Sequence, residues 1–211
     1  MLIPFEPLVT FIIASALLSI APGPDNIFVL MQSALYGKKS GIFITLGLCT
    51  GLIAHTSAVA FGVAAIFQTS VAAFTVLKIV GAVYLAYLAW QAFNASTSDL
   101  HTPGSNLRSI GALYRRGIIM NITNPKVTIF FLAFLPQFAS PGKGALAPQI
   151  FTLGGLFICV ALIIFSTIAV AAGSLGVWLQ RSPKAQLYLN RIAGTVFAAL
   201  ALKLVTATNT T

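Results

Sequence analysis

Six long apolar segments, separated by short polar ones, dominate the chain. A membrane-spanning helix needs about 20 mostly apolar residues. The segments are residues 8–36, 41–67, 71–93, 117–137, 146–173 and 192–205. Spanning strands would instead appear as shorter segments in which polar and apolar residues alternate. The pattern therefore predicts an all-α integral membrane protein with six transmembrane helices.

The composition agrees with a lipid environment. Hydrophobic residues make up 58% of the 211 positions and charged residues only 7%, whereas a soluble domain carries about 25% charged residues. The net charge of +9 does not indicate a nucleic-acid-binding protein, because most basic residues flank apolar segments and no basic run is interleaved with aromatic residues. We therefore expect the lipid bilayer, and no nucleic acid, as a partner.

The basic residues predict the orientation in the membrane. With six spans, eight of them fall on one side: Lys38, Lys39, Arg108, Arg115, Arg116, Arg181, Lys184 and Arg191. The positive-inside rule places this side in the cytoplasm, so both termini are predicted outside. Because Lys38 is the first basic residue, the first apolar segment lacks the cationic region of a signal peptide and is expected to stay in the mature protein.

A long polar loop at residues 94–115 divides a single transmembrane domain, residues 1–211, into halves 1–93 and 116–211. Each half holds three apolar segments. Since three is an odd number, the second half enters the membrane from the opposite side. The halves are therefore predicted to form an inverted repeat, which is common in secondary transporters.

Proline interrupts the first apolar segment of each half. The first motif consists of Pro22, Gly23, Pro24, Asp25 and Asn26, and the second of Asn124, Pro125 and Lys126. Proline removes a backbone donor and clashes with the preceding turn. Freed backbone groups are tolerated in a membrane only inside protein or beside a polar cavity. The motifs therefore predict two broken helices, corresponding to the first and fourth spans, whose breaks form a substrate-binding site.

Three charged residues are predicted to lie near the middle of the bilayer. At 1.5 Å per residue, Asp25 and Lys126 lie about 20 Å and about 15 Å from the cytoplasmic edge, and Lys78 lies about 12 Å from the outer edge. Intramembrane charges usually pair and mark transport or proton routes. We expect Asp25 to pair with Lys78 or Lys126, and a substrate carboxylate to bind the remaining lysine. The substrate ammonium or a transported proton would compete for Asp25. Alternatively, Lys78 has a structural role and extends to the outer surface.

His55 lies within the second apolar segment, beside two hydroxyl residues. One interpretation is a buried, hydrogen-bonded histidine. The other is a proton relay, because the ordinary histidine side chain titrates near neutral pH.

Four blocks of sequence resemble the LysE/RhtB superfamily of bacterial amino-acid exporters. They are residues 21–56, 77–93 and 114–138, with a weaker match at 189–205. The resemblance implies secondary-active efflux of amino acids or related small metabolites across the bacterial cytoplasmic (inner) membrane, by proton antiport with alternating access. It also supports both proline motifs as functional and makes a homodimer plausible. Ala89, Gln91 and Ala201 depart from residues common in the family, so the substrate stays open.

Two rival functions belong to other classes. Cys49 and Cys159 lie in corresponding segments of the two halves, as in an intramembrane thiol-disulfide electron conduit, although both have apolar or small neighbours, typical of buried thiols. The other rival is a non-transporting membrane scaffold. Two histidines and three acidic residues are too few for a membrane hydrolase, so we expect no enzyme activity, no metal and no cofactor.

Overall fold

The computed structural model describes residues 3–69, 71–94 and 109–206, together with most of their side chains. The described residues are helical and contain no strand. This agrees with the predicted all-α class. The side chain of Lys78 and most of the loop predicted at 94–115 lie outside the description.

The described residues form eight α-helices. They are α1 (Phe5–Ile20), α2 (Pro24–Tyr36), α3 (Lys38–Thr69), α4 (Val71–Asn94), α5 (Ile110–Ile122), α6 (Pro125–Ile129), α7 (Leu146–Arg181) and α8 (Pro183–Thr206). A π-helical turn, Phe130–Phe134, and a 3₁₀ turn, Leu135–Phe138, continue α6. A second 3₁₀ turn, Pro141–Lys143, leads to α7.

Within the part of the chain that the structure describes, two helices are long and apolar enough to cross a membrane unaided: the Lys38–Gly62 part of α3 and the Leu146–Ala172 part of α7. The pair α1 and α2 is bent by 57°, and Ile110–Ile122 is bent by 50° against Pro125–Phe138. If each bent pair is one span, the described chain has up to four spans. The six-span prediction also needs α4 and α8, whose described apolar parts, Ile79–Asn94 and Asn190–Leu202, are shorter.

Some observed boundaries differ from the predicted ones. Helix α5 begins at Ile110, so Arg115 lies in a helix and not in the loop predicted at 94–115. Helix α8 begins at Pro183, before the predicted start at 192, because proline is well accommodated in the first helical turn. In both cases a polar helix end extends beyond the apolar segment from which the boundary was predicted.

Helix α3 forms the centre of the packing. It lies against α5 and α7, while α4 packs along α8. Gly47 and Gly117 permit the α3–α5 crossing, since a Cβ added at Gly117 would lie 3.1 Å from the Gly47 Cα. Small residues allow such close backbone approach between membrane helices. This crossing fixes α5 beside α3 immediately before the second bend.

Large apolar side chains cover much of the outer surface. Ile13, Phe61 and Ile163 are more than half exposed. A soluble monomer rarely exposes such extensive apolar surface, whereas hydrocarbon tails solvate it readily. The buried polar groups, by contrast, concentrate around the two bends.

Candidate functional site

The first bend separates α1 from α2. Helix α1 ends at Ile20, and α2 begins with Pro24 as its first residue. In a continuous helix, the amide four residues later would donate to the Leu18 carbonyl. That residue is Pro22, which has no N–H, so the Leu18 carbonyl needs another donor.

Lys126 supplies this donor from the other half of the chain. Its Nζ donates to the Leu18 carbonyl at 3.2 Å and to the Ala21 carbonyl at 3.0 Å. The carboxyl end of a helix carries partial negative charge, so an ammonium there is electrostatically favourable. The lysine is buried and therefore replaces water at the end of α1.

Gly23 makes room for the lysine head group. A Cβ added at Gly23 would lie 3.1 Å from the Lys126 Nζ. The backbone of Gly23 is extended, with φ of −176°, a conformation open to any residue. The space beside the ammonium, rather than backbone freedom, therefore explains glycine at this position.

The second bend is built from its own motif. Asn124 caps the short helix α6, and its side-chain oxygen accepts a hydrogen bond from the Lys126 amide at 3.0 Å. Pro125 occupies the first turn of α6, where its missing N–H is tolerated. The cap thus fixes the backbone of Lys126, whose side chain extends to the end of α1.

His55 compensates for Pro125 in the same way that Lys126 compensates for Pro22. The residue four after Asn121 is Pro125, so the Asn121 carbonyl lacks the donor of a continuous helix. The carbonyl accepts from the Asn124 amide at 3.0 Å and lies 3.2 Å from the His55 Nε2. Since a carbonyl can only accept, Nε2 carries the proton in this contact. His55 is therefore a buried, hydrogen-bonded histidine, and a relay role stays a prediction.

Asp25 lies in the first turn of α2, where the helix amino end favours negative charge. Its side chain is 2% exposed, and the Asn121 Nδ2 donates to its Oδ2 at 3.4 Å. Lys126 and His55 both act on the carboxylate through space. The ammonium of Lys126, however, directs its hydrogen bonds to the α1 carbonyls. The alternative partner, Lys78, has a side chain outside the description.

Asn26 ties α2 back to α1. Its Nδ2 donates to the Ser19 carbonyl at 2.6 Å. Both residues are buried. The structure thus brings Asp25, Asn26, Asn124 and Lys126 into one polar cluster at the bends.

Several polar atoms of this cluster have no hydrogen-bond partner among the described residues. They are Ser19 Oγ, Asp25 Oδ1, Asn26 Oδ1, Asn121 Oδ1 and Asn124 Nδ2. Each buried polar group without a partner costs about 1–3 kcal/mol. These unpartnered atoms are concentrated at the two bends. The described residues contain no group of three or more potential metal ligands.

Sequence reasoning did not assign Ser19 or Gly51 to the site. A Cβ at Gly51 would lie 2.7 Å from the Cβ and the Oδ1 of Asn121, so this glycine makes room for the asparagine that contacts Asp25. The spacing of Gly47 and Gly51, four residues apart on one helix face, was the available signal. Thr123, a hydroxyl residue beside the second break, is exposed and donates a hydrogen bond to the Ile119 carbonyl.

The two cysteines lie on different helices, α3 and α7. Cys49 is buried on α3, Cys159 is exposed on α7, and both are free thiols. Neither helix is interrupted near its cysteine.

Comparison with known proteins identifies the family. The family model described as "LysE type translocator" matches residues 16–208. The "Homoserine/homoserine lactone efflux protein" of Salmonella typhimurium is 35% identical over 92% of this chain and 93% of its own length, and that of Salmonella typhi is 36% identical over the same shares. An "Uncharacterized membrane protein" of Vibrio cholerae is 31% identical over 93% of this chain and 95% of its own length.

No solved protein structure matches the chain. The matches nevertheless extend over nearly its whole length and over nearly the whole length of its relatives. The protein is thus a membrane-embedded efflux transporter and not an enzyme, and it belongs to the LysE type translocator family.

Proposed function

We propose that this protein exports homoserine and related amino-acid derivatives across the bacterial inner membrane in exchange for protons. The observation that carries the proposal is the buried polar cluster at the two helix bends, in which the Asp25 carboxylate lies within electrostatic range of the Lys126 ammonium from the other half of the chain. Buried ionisable groups in a membrane protein are expensive and mark substrate and proton routes. The names of the Salmonella relatives support homoserine and its lactone as candidate cargo.

The proposed architecture is one domain of six spans in two inverted halves, residues 1–93 and 116–211, with both termini outside. In this arrangement α3 and α7 are the second spans of their halves, and α4 and α8 are the third. The packing of α3 on α7 and of α4 on α8 supports a pseudo-two-fold relation, since each helix then lies against its counterpart. The bends fall in the first span of each half, as in other transporters whose broken helices meet at mid-membrane.

Asp25 is the proposed coupling group. A carboxylate that holds a proton is neutral and loses its attraction for the ammonium group of the cargo, so the proton and the cargo bind in alternation. If Asp25 is accessible from only one side of the membrane at a time, this mutually exclusive binding of proton and cargo produces antiport. The bends at 57° and 50° provide the proposed hinges, because few backbone hydrogen bonds hold the helix segments rigidly together there.

Lys126 is proposed to hold the bend of α1 while α2 responds to the occupancy of Asp25. Its two hydrogen bonds join the halves across the cluster. A homodimer stays a prediction from the family resemblance, as does a proton relay through His55.

Everted membrane vesicles with an imposed pH gradient, acidic inside, test the proposal. Vesicles that contain the protein should accumulate radiolabelled homoserine, and a protonophore should abolish the accumulation. Vesicles from cells that lack the protein are the control. Uptake that persists unchanged without a pH gradient would exclude proton antiport, and equal uptake in the control vesicles would exclude export of homoserine.

A further inference from the structure

The unpartnered atoms of the cluster are mostly acceptors. Asp25 Oδ1, Asn26 Oδ1 and Asn121 Oδ1 are oxygens that accept hydrogen bonds, whereas Asn124 Nδ2 is a donor that already acts on the Asp25 carboxylate. The Ser19 hydroxyl can serve either way. Because the described residues leave these acceptors without donors, a ligand that satisfies them brings several donors of its own.

The orientation of each amide is fixed by the partner of its other end. Asn26 donates Nδ2 to the Ser19 carbonyl, and Asn121 donates Nδ2 to Asp25. Rotating either amide would place an oxygen against another oxygen. The free end of each side chain is consequently its oxygen, and the excess of acceptors does not depend on how the amides are assigned.

Lys126, the cation of the cluster whose side chain is described, already makes its hydrogen bonds. Lys126 directs its ammonium to the Leu18 and Ala21 carbonyls, and Asp25 already places a carboxylate at the amino end of α2. A cargo carboxylate, which only accepts hydrogen bonds, would face a second negative charge and further acceptors. An ammonium carries three donors and a positive charge, and so it complements the same atoms.

We infer that Asp25, Asn26 and Asn121 recognise the cargo through its protonated primary amine, and that a free carboxylate is not required. The ligand class is therefore primary ammonium compounds, including amino acids whose carboxyl group is closed into a lactone or converted to an amide. This inference deepens the proposed function and rests on it. It accounts for a feature in the names of the relatives, since homoserine and homoserine lactone share the amine and differ at the carboxyl group.

A set of four labelled compounds in everted vesicles tests the inference on the wild-type protein. Homoserine, homoserine lactone and homoserine amide keep the amine, while N-acetylhomoserine keeps the carboxylate and loses the charged amine. We expect the first three to be transported with KM values within about tenfold of one another. N-acetylation removes hydrogen bonds to a charged group and should weaken transport by at least about tenfold.

Different failures have different consequences. Transport of homoserine and N-acetylhomoserine without the lactone and the amide would overturn amine recognition and leave the proposed export of homoserine intact. No transport of any of the four would refute both. Sodium can be replaced by choline in the same assay. Loss of homoserine transport on this replacement would show that the acceptors bind a metal ion and would overturn the inference.

A matched pair of variants locates the recognition. Asn121→Ala removes one acceptor of the cluster. Gln32→Ala removes a buried amide oxygen that also lacks a partner among the described residues but lies two turns beyond Asp25 on α2. We expect Asn121→Ala to raise the KM for homoserine by about tenfold or more and Gln32→Ala to leave it unchanged. Equal effects of the two substitutions would contradict the assignment.

Discussion

Replacing Lys126 by methionine tests how the two halves are joined. Methionine keeps an unbranched side chain of similar length and removes the ammonium. The Leu18 and Ala21 carbonyls then lose the ammonium as donor, and Pro22 prevents the backbone from replacing it at Leu18. The perturbation therefore acts on two named acceptors and leaves the packing around Gly23 nearly unchanged.

The magnitude follows from these two hydrogen bonds. A buried acceptor that loses its partner costs about 1–3 kcal/mol, so two of them destabilise the protein by about 2–6 kcal/mol. The Asp25 carboxylate also loses the nearby positive charge that acts on it. We expect Lys126→Met to be less stable and to have no proton-coupled export.

Thermal unfolding of the purified protein in detergent and homoserine uptake into proteoliposomes measure both effects. Lys143→Met is the matched control, because Lys143 is exposed in a 3₁₀ turn outside the cluster. The control should unfold and transport like the wild type. Wild-type stability and uptake in Lys126→Met would refute the role of the lysine at the end of α1.

Three further predictions test the surroundings of the cluster. Gly23→Val should displace the Lys126 head group and reduce export at least tenfold, because overpacking at this position costs about 1–3 kcal/mol of stability. The control Gly155→Ala, whose Cβ would meet no atom within 4 Å, should not impair uptake. Gly51→Ala should impair export because its Cβ would overpack against Asn121 on α5. Uptake and protein yield, measured together, test this expectation. The double change Cys49→Ser with Cys159→Ser should leave uptake intact, and its loss would favour the thiol-disulfide conduit.

The proline positions explain how much of the site could be predicted from the sequence. A proline identifies the carbonyl four residues earlier as lacking its donor, so Pro22 and Pro125 indicate where polar groups gather. Asp25 and Lys126 were recognisable because charge is rare in apolar segments. These features depend on local sequence alone.

The partners of those carbonyls could not be predicted in the same way. That Lys126 reaches Leu18 and His55 reaches Asn121 depends on how α1, α3, α5 and α6 cross. Crossing geometry is decided by side-chain packing between distant segments, which a single sequence does not display. The start of α5 at Ile110 escaped prediction for a simpler reason, because the polar first turns of a helix resemble a loop in composition.

Substitution of Asp25 by asparagine tests the central claim most directly. In everted vesicles with an acidic interior, Asp25→Asn should abolish pH-driven homoserine uptake while the protein inserts in normal amounts, since the amide binds no proton at neutral pH and lacks the negative charge of the carboxylate. Glu6→Gln, at an exposed position in the first turn of α1, should keep the wild-type response. Wild-type dependence on the pH gradient in Asp25→Asn would contradict the account.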